Sequence, residues 1–512
     1  MTVRLFSGAV IGLDAFPVEV EVDATPGLHL FSIVGLPDKT VQESRDRIQA
    51  ALRNSGFVAP KQKNQRITVN LAPADIKKEG SGYDLVIAVG YLITTKQLVF
   101  ESRGTTMIFG ELGLDGSVRR ISGILPLVQM AKLKGFKEVL VPIDNVGEAA
   151  MIAGIRIIPV ATLQSAVGHI NGKSVIAPAT QTRSTQSSIR PDDQEVSMSD
   201  IRGQESAKRA LVVAASGGHN VLMYGPPGSG KTLLARALSG ILPPLSDDEA
   251  LEITKIYSVA GLTENTPFIT YRPFRNPHHT SSSIAIIGGG SWPRPGEVTL
   301  AHRGVLFLDE FPEFPRSVIE VLRQPMESGD VTIARANSTV RFPARFMLVA
   351  AMNPCPCGNF GDENQACICS EQSISRYQKK LSGPILDRID IQIVVPRETY
   401  SKLAGAKPAS AQTGDDELSS QIVRARDVQT ERYAKSRHRL NSELGPREIH
   451  HYCPMTKDAE KLVEMAVTAN NLSARAYHKL LKLGRTIADI EMSSIIDSGH
   501  IGEAIGYRIK VD

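Results

Sequence analysis

One loop constrains this chain more than any other feature. Gly225-Pro226-Pro227-Gly228-Ser229-Gly230-Lys231-Thr232 matches G-x-x-x-x-G-K-[ST]. That pattern carries meaning only between a strand and a helix, and both flanks are present. Asn220-Val221-Leu222-Met223-Tyr224 reads as a short apolar strand. Leu233-Leu234-Ala235-Arg236-Ala237-Leu238 reads as a helix stopped by Gly240 and Pro243-Pro244. Glycines let the backbone curl round an anion, so that several N–H groups and a helix N-terminus face it. Lys231 then reaches the β- and γ-phosphates, and the Thr232 hydroxyl takes a place on Mg²⁺. ATP with Mg²⁺ is the expected ligand, and Gly225 to Thr232 form its cradle.

Binding is not hydrolysis, which needs a metal-holding acid and a group that activates water. Val305-Leu306-Phe307-Leu308-Asp309-Glu310 offers both: an apolar strand that ends in two carboxylates. Ligands of α/β sheets sit at the carboxyl ends of the strands. Asp309 is expected to hold Mg²⁺, directly or through water, and Glu310 to orient and deprotonate the attacking water. A second apolar strand, Phe346 to Met352, ends in Asn353-Pro354. An amide there can bond the attacking water or the γ-phosphate, although Asn-Pro by itself is only a turn signal.

The remaining sequence sets bounds. At 512 residues the chain has room for about three domains, and 42% hydrophobic residues suffice for their cores. No apolar run approaches the roughly 18 residues of a membrane span. The N-terminus does not read as a signal peptide: Gly8, Gly12 and Asp14 break it, and Val18, Val20 and Val22 then alternate with Glu19, Glu21 and Asp23 as in a strand. A cytoplasmic protein without a membrane partner is expected. A net charge of +4 names no partner. Residues 1–170 alternate strand and helix patterns: strands at Arg66 to Leu71, Met107 to Gly113, Ser117 to Ile121 and Glu138 to Pro142, helices at Leu85 to Leu92 and Pro126 to Lys134. Residues 171–199 are Ser-, Thr-, Gln-, Pro- and Asp-rich and read as a linker. From about residue 396 the pattern is helical, with a loop at 404–415.

Gly225–Thr232, Leu308-Asp309-Glu310, Asn353-Pro354-Cys355-Pro356-Cys357-Gly358 and the run Leu381-Ser382-Gly383-Pro384-Ile385-Leu386-Asp387-Arg388-Ile389-Asp390 together resemble the magnesium-chelatase-like AAA+ ATPases, and among them the ComM/YifB group. The resemblance covers almost the whole chain, including Asn276-Pro277-His278-His279-Thr280 and Ser473 to Lys479. It implies an α/β fold class: a Lon-protease-like, S5-like α+β domain over 1–170, the linker 171–199, a P-loop AAA+ core over 200–395 and a helical C-terminal lid over 396–512. It also implies roles that spacing does not give. Asn353 matches the sensor-1 asparagine, Arg388 an arginine finger that reaches the γ-phosphate of a neighbouring subunit, and Arg475 the sensor-2 arginine of the lid. A cation in a helix's first turn opposes the macrodipole by roughly 0.3–1 kcal/mol, so Arg475 is expected to have another partner. A homo-oligomeric ring, hexameric, is the implied assembly.

Residues 1–170 are similar to the domain of Lon-type proteases and of RadA-type recombination proteins. The positions of the protease's serine and lysine correspond here to Gly82 and Pro126, which can neither attack nor take a proton. A scaffold, a subunit interface or a DNA-contacting collar is expected instead of a protease.

Of five cysteines, Cys355, Cys357, Cys367 and Cys369 fall within fifteen residues and read as a local site, not a disulfide framework. Four thiolates suit a tetrahedral Zn²⁺, though the C-x-C pairs are tighter than usual, and reduced thiols fit as well. Cys453 reads as inert. Arg424, Arg426, Arg432, Lys435, Arg437 and Arg439 form either a solvated helix face or a phosphate-contacting surface. A hairpin over 329–345 carries Arg335 near its tip; in the resembled family such a hairpin points into the ring's pore, where arginines would hold DNA phosphates whatever the sequence. The segment Arg272 to Glu297 holds Trp292, a base-stacking or buried aromatic, and His278 and His279, expected to be structural. The expected function is an ATP-driven ring motor that remodels branched or forked DNA; a chelatase-like or protein-remodelling ATPase is the alternative.

Overall fold

The structure, a computed structural model, describes residues 2–99, 105–180, 196–264, 266–290, 293–335, 338–362, 365–398, 411–436, 439–470 and 472–508. Most of the expected linker, Trp292, Arg437 and the loop up to residue 410 lie outside them. The chain forms two compact units: Met1–Ser188 with Asp247–Thr270 and Trp292–Pro295, and Ile189–Ser246 with Tyr271–Ser291 and Gly296–Asp512.

The first unit is built on a seven-stranded sheet in the order Leu30–Val34, Gln65–Ala72, Asp14–Pro26, Val3–Ile11, Thr106–Ile108, Glu138–Pro142, Arg156–Val160. Asp14–Pro26 runs antiparallel to both its neighbours, and the other pairs are parallel. Val18, Val20 and Val22 are fully buried, as the alternation predicts. The helix Asp84–Thr94 lies so close to this strand that a Cβ on Gly90 would come within 2.6 Å of Val22. The helix expected at Pro126 opens two residues earlier, as Ile124–Leu133, because proline is tolerated in a first turn whose N–H groups have no partner in the helix. The strand expected over Ser117 to Ile121 shortens to Val118–Arg119, paired with Glu111–Leu112. The helix Asp247–Ala260, which follows the phosphate-loop helix in sequence, belongs to this unit: the Gly123 N–H donates to Ser258 O at 2.8 Å and Leu251 packs beside the apolar cluster.

The second unit centres on a five-stranded sheet ordered Phe274–Arg275, Val305–Leu308, Met347–Met352, Val221–Tyr224, Ile391–Val394, parallel throughout. Val305–Leu308 is wholly buried and Met347–Met352 nearly so, the continuous apolar run of a strand covered on both faces. A hairpin, Asp330–Arg335 against Ser338–Pro343, stands where one was expected. The C-terminal part is helical: Ala411–Arg432, Pro446–Tyr452, Lys457–Asn470, Ala474–Ile490 and Ser498–Gly506. The loop expected to last to residue 415 ends sooner, since the chain is helical from Ala411. Ile422 and Ala425 anchor that helix in the core, and the Asp415 carboxylate accepts the Met198 and Ser199 N–H groups at 3.0 and 3.2 Å. Tertiary anchoring outweighs the roughly 1 kcal/mol that Gly414 costs a helix.

Candidate nucleotide site

All five strands of the second sheet point the same way, so their carboxyl ends form one edge. Register brings Tyr224 beside Met352, and Leu308 beside Ala350. Three segments therefore leave neighbouring strands together: the phosphate loop, Asp309-Glu310 and Asn353. Gly228 and Gly230 take φ of +76° and +91°, open to glycine without strain. A Cβ on Gly225 would lie 2.1 Å from Val395 O, so the loop's first residue must also be glycine.

Lys231 opens the helix Lys231–Ile241, and its ammonium donates to Gly225 O at 2.7 Å, Pro226 O at 2.8 Å and Asn353 Oδ1 at 3.3 Å. Burial lowers its pKa to about 8, although Asp309 pulls the other way. The Thr232 hydroxyl donates to Asp309 Oδ2 at 2.9 Å, so the two expected metal ligands touch. A hydroxyl and a carboxylate side by side at a loop of N–H donors are the oxygen donors Mg²⁺ prefers. Glu310 sits in the left-handed region at φ 50°, half exposed, with Oε2 3.2 Å from His279 Nδ1.

Two residues beside the site carry no signal in the sequence. His279, expected to be structural, lies against Glu310, the candidate base. Phe274–Arg275 is the sheet neighbour of Val305–Leu308, so the Asn-Pro-His-His run emerges beside Asp309-Glu310. A two-residue strand leaves no periodic signal to reveal this. The second is Glu327, on the helix Arg323–Ser328, whose carboxylate takes both Arg388 and, at 3.3 Å, Arg475. Arg475 thus has the partner its place in a first turn demanded. Among the described residues neither arginine makes a polar contact with Gly225–Thr232; the two converge on Glu327 instead.

Cys355, Cys357, Cys367 and Cys369 come together, with all four sulphurs within 4.8 Å of one another. Cys453 is free and buried. The basic stretch divides. Arg426 donates to Ala215 O and Arg432 bridges to Asp489, while Arg424, Lys435 and Arg439 are exposed. In the first unit Pro126 is buried inside its helix, and the Ser81 hydroxyl donates to Glu111. No described helix is long and apolar enough to cross a membrane.

Three family models match the chain: "Magnesium chelatase, subunit ChlI" over residues 197–403, "Subunit ChlI of Mg-chelatase" over 20–145, and "Magnesium chelatase, subunit ChlI C-terminal" over 413–508. The competence protein ComM of Haemophilus influenzae is 41% identical over 513 residues, 99% of this chain and 97% of the relative. Protein YifB of Escherichia coli is 40% identical over 501 residues, 98% and 96% of the two chains. The magnesium-chelatase 38 kDa subunit of Rhodobacter capsulatus is 23% identical over 61% of this chain and 87% of its own.

Proposed function

The chain belongs to the ComM/YifB family of magnesium-chelatase-like AAA+ proteins, and from that premise we propose that it is an ATP-hydrolysing ring motor acting on DNA, a branch-migration or helicase-type remodeller in recombination or natural transformation. One observation carries the enzymatic half. Lys231 bonds Asn353, and its neighbour in sequence Thr232 bonds Asp309, both at the carboxyl edge of the parallel sheet, with Glu310 adjoining. Lys231 and the loop amides bind the phosphates of ATP. Thr232 and Asp309 hold Mg²⁺, which neutralises charge on the phosphate oxygens. Asn353 orients the attacking water and Glu310 takes its proton. Arg388 of an adjacent subunit and Arg475 of the lid complete the phosphate contacts, in a hexameric ring.

The DNA half rests on 41% identity to a protein named for competence, supported by the hairpin Asp330–Arg335/Ser338–Pro343 and the exposed Arg424, Lys435 and Arg439. Phosphate contacts of that kind hold nucleic acid without reading its sequence. The test is the ATPase rate of the full chain with no effector, with single-stranded, duplex, forked and four-way DNA, with an unfolded protein, and with magnesium and a porphyrin. Stimulation by forked or four-way DNA is expected. Stimulation by the protein or the porphyrin, and none by DNA, would overturn the DNA reading and leave an ATPase of the alternative kind.

A further inference from the structure

The nucleotide chemistry makes no use of the four clustered thiols, yet their placement is specific. Cys355 Sγ lies 3.3 Å from Cys357 Sγ and 3.7 Å from Cys367 Sγ, and Cys357 Sγ lies 3.7 Å from Cys367 Sγ. A disulfide would bring two sulphurs to about 2.05 Å. A tetrahedral zinc ion with Zn–S bonds of about 2.3 Å spaces its four sulphurs about 3.8 Å apart. The separations fit the second geometry. Backbone N–H groups of Asn359 and Ile368 face the Cys357 sulphur, that of Cys369 faces Cys367, and that of Cys357 faces Cys369, the donors that thiolates need.

The segment also has little else to hold it. Among its described residues, 353–370 contain no helix or strand, and Phe360 and Ile368 are 48% and 88% exposed. A stretch without a hydrophobic core of its own needs a staple. Its fixed position matters because it begins at Asn353 and rests on the phosphate loop. A Cβ on Gly358, whose φ is +85°, would lie 2.5 Å from the Pro227 ring. Arg397 ties the two loops further, 3.5 Å from Pro227 O, 3.4 Å from Gln365 Oε1 and 3.4 Å from Asp362 Oδ2.

We infer that Cys355, Cys357, Cys367 and Cys369 hold one structural zinc ion, and that the knuckle it closes braces the phosphate loop through Gly358 and Arg397. Four thiols each release a proton to solvent, and Zn²⁺ with four thiolates carries a net charge of −2. The closed ligand set leaves no position for water, so the ion does no chemistry. The bracing half rests on nucleotide binding at Gly225–Thr232; the zinc half does not.

The full chain, purified without a histidine tag, is assayed for metal by mass spectrometry and for thiols by titration, before and after treatment with a zinc chelator. One zinc per chain is expected, with four thiols protected until it is removed. Affinity for a fluorescent ATP analogue is expected to fall about tenfold on removal and to return when zinc is added. Linkage requires that ATP raise the chain's hold on zinc by the same factor in the chelator competition. Cys367→Ser should lose the metal and Cys367→His keep it; the chelation of the unaltered chain decides the matter even if the serine variant does not fold. Metal-free protein with four freely titrating thiols overturns the site. Zinc present with unchanged nucleotide affinity overturns the bracing. A zinc-replete chain that binds no nucleotide at all overturns the nucleotide reading and the bracing that rests on it, and leaves the zinc site standing.

Discussion

Burial deprives the Lys231 ammonium of water, and its pKa falls from 10.5 to about 8. Between those values the unfolded chain binds more protons than the folded one, so the stability of the nucleotide-free protein rises with pH through that window. Bound phosphates favour the charged form and reverse the effect. At pH 8 about half of the nucleotide-free chains carry a neutral lysine, so ATP binding should take up about half a proton. Calorimetry in two buffers of different ionisation heat reads that number directly. Affinity should fall about tenfold per pH unit above 8. Lys231→Ala should bind no ATP, having lost the cation that faces the β- and γ-phosphates. No proton uptake at pH 8 in the unaltered chain would mean that this lysine does not titrate in the binding step. Glu310 makes a separate prediction. Glu310→Gln should bind ATP normally and turn over at least about 100-fold more slowly, since an amide cannot take the proton of water. Unimpaired turnover in a single-turnover assay would move the base to another residue, and His279, 3.2 Å away, is the first to examine.

The C-terminal helices meet in an ionic cluster whose stability can be tested at a single residue. Asp489, near the end of Ala474–Ile490, is fully buried and accepts from Arg432 at 2.8 Å, Arg485 at 3.1 Å and Asn441 at 2.9 Å. Asp489→Ala leaves two guanidinium groups without their counter-charge and should cost about 3–5 kcal/mol in denaturant unfolding. Arg4→Ala, which breaks pairs with Glu19 and Glu21 on an arginine 69% exposed, should cost about 1 kcal/mol or less. Equal effects would mean that the buried cluster holds nothing together. Such elements also show what sequence could reveal. The strand before Gly225 and the helix after Thr232 were legible because glycine, lysine and apolar runs act within a few residues of one another. Val18, Val20 and Val22 were legible for the same reason, a period of two along one strand. Sequence could not show which core a helix joins. The apolar positions of Asp247–Ala260 announce a buried face, but only the fold reveals that it packs in the unit containing Gly123 and Asp14. His279 beside Glu310 and Glu327 beneath two arginines were hidden likewise, because both contacts depend on chain segments brought together in three dimensions.

For the molecule as a working machine, the position of Arg388 is decisive. In this chain its guanidinium is spent on Glu327 and Pro384 O, and Glu327 also takes Arg475. If Arg388 serves a neighbour's γ-phosphate, subunit docking must exchange Glu327 for phosphate, and the nucleotide pocket of each chain is incomplete alone. An arginine supplied in trans is worth about 10³–10⁵ in rate in P-loop enzymes, so an isolated chain should be nearly inactive. ATPase activity per chain should rise with protein concentration and with ATP or DNA that favours the ring. Arg388→Ala should keep ATP binding, since Lys231 and the loop amides remain, yet lose hydrolysis. Mixed with Lys231→Ala it should regain some activity, because an intact pocket on the first variant can receive the arginine of the second. Glu327→Ala separates the resting contact from the working one: binding of ATP should survive, and the concentration at which activity appears should fall if the pair with Arg388 opposes docking. If neither dilution nor mixing changes the rate per chain, Arg388 acts within its own subunit or only through Glu327, and a ring completed by its neighbours is not how this chain hydrolyses ATP.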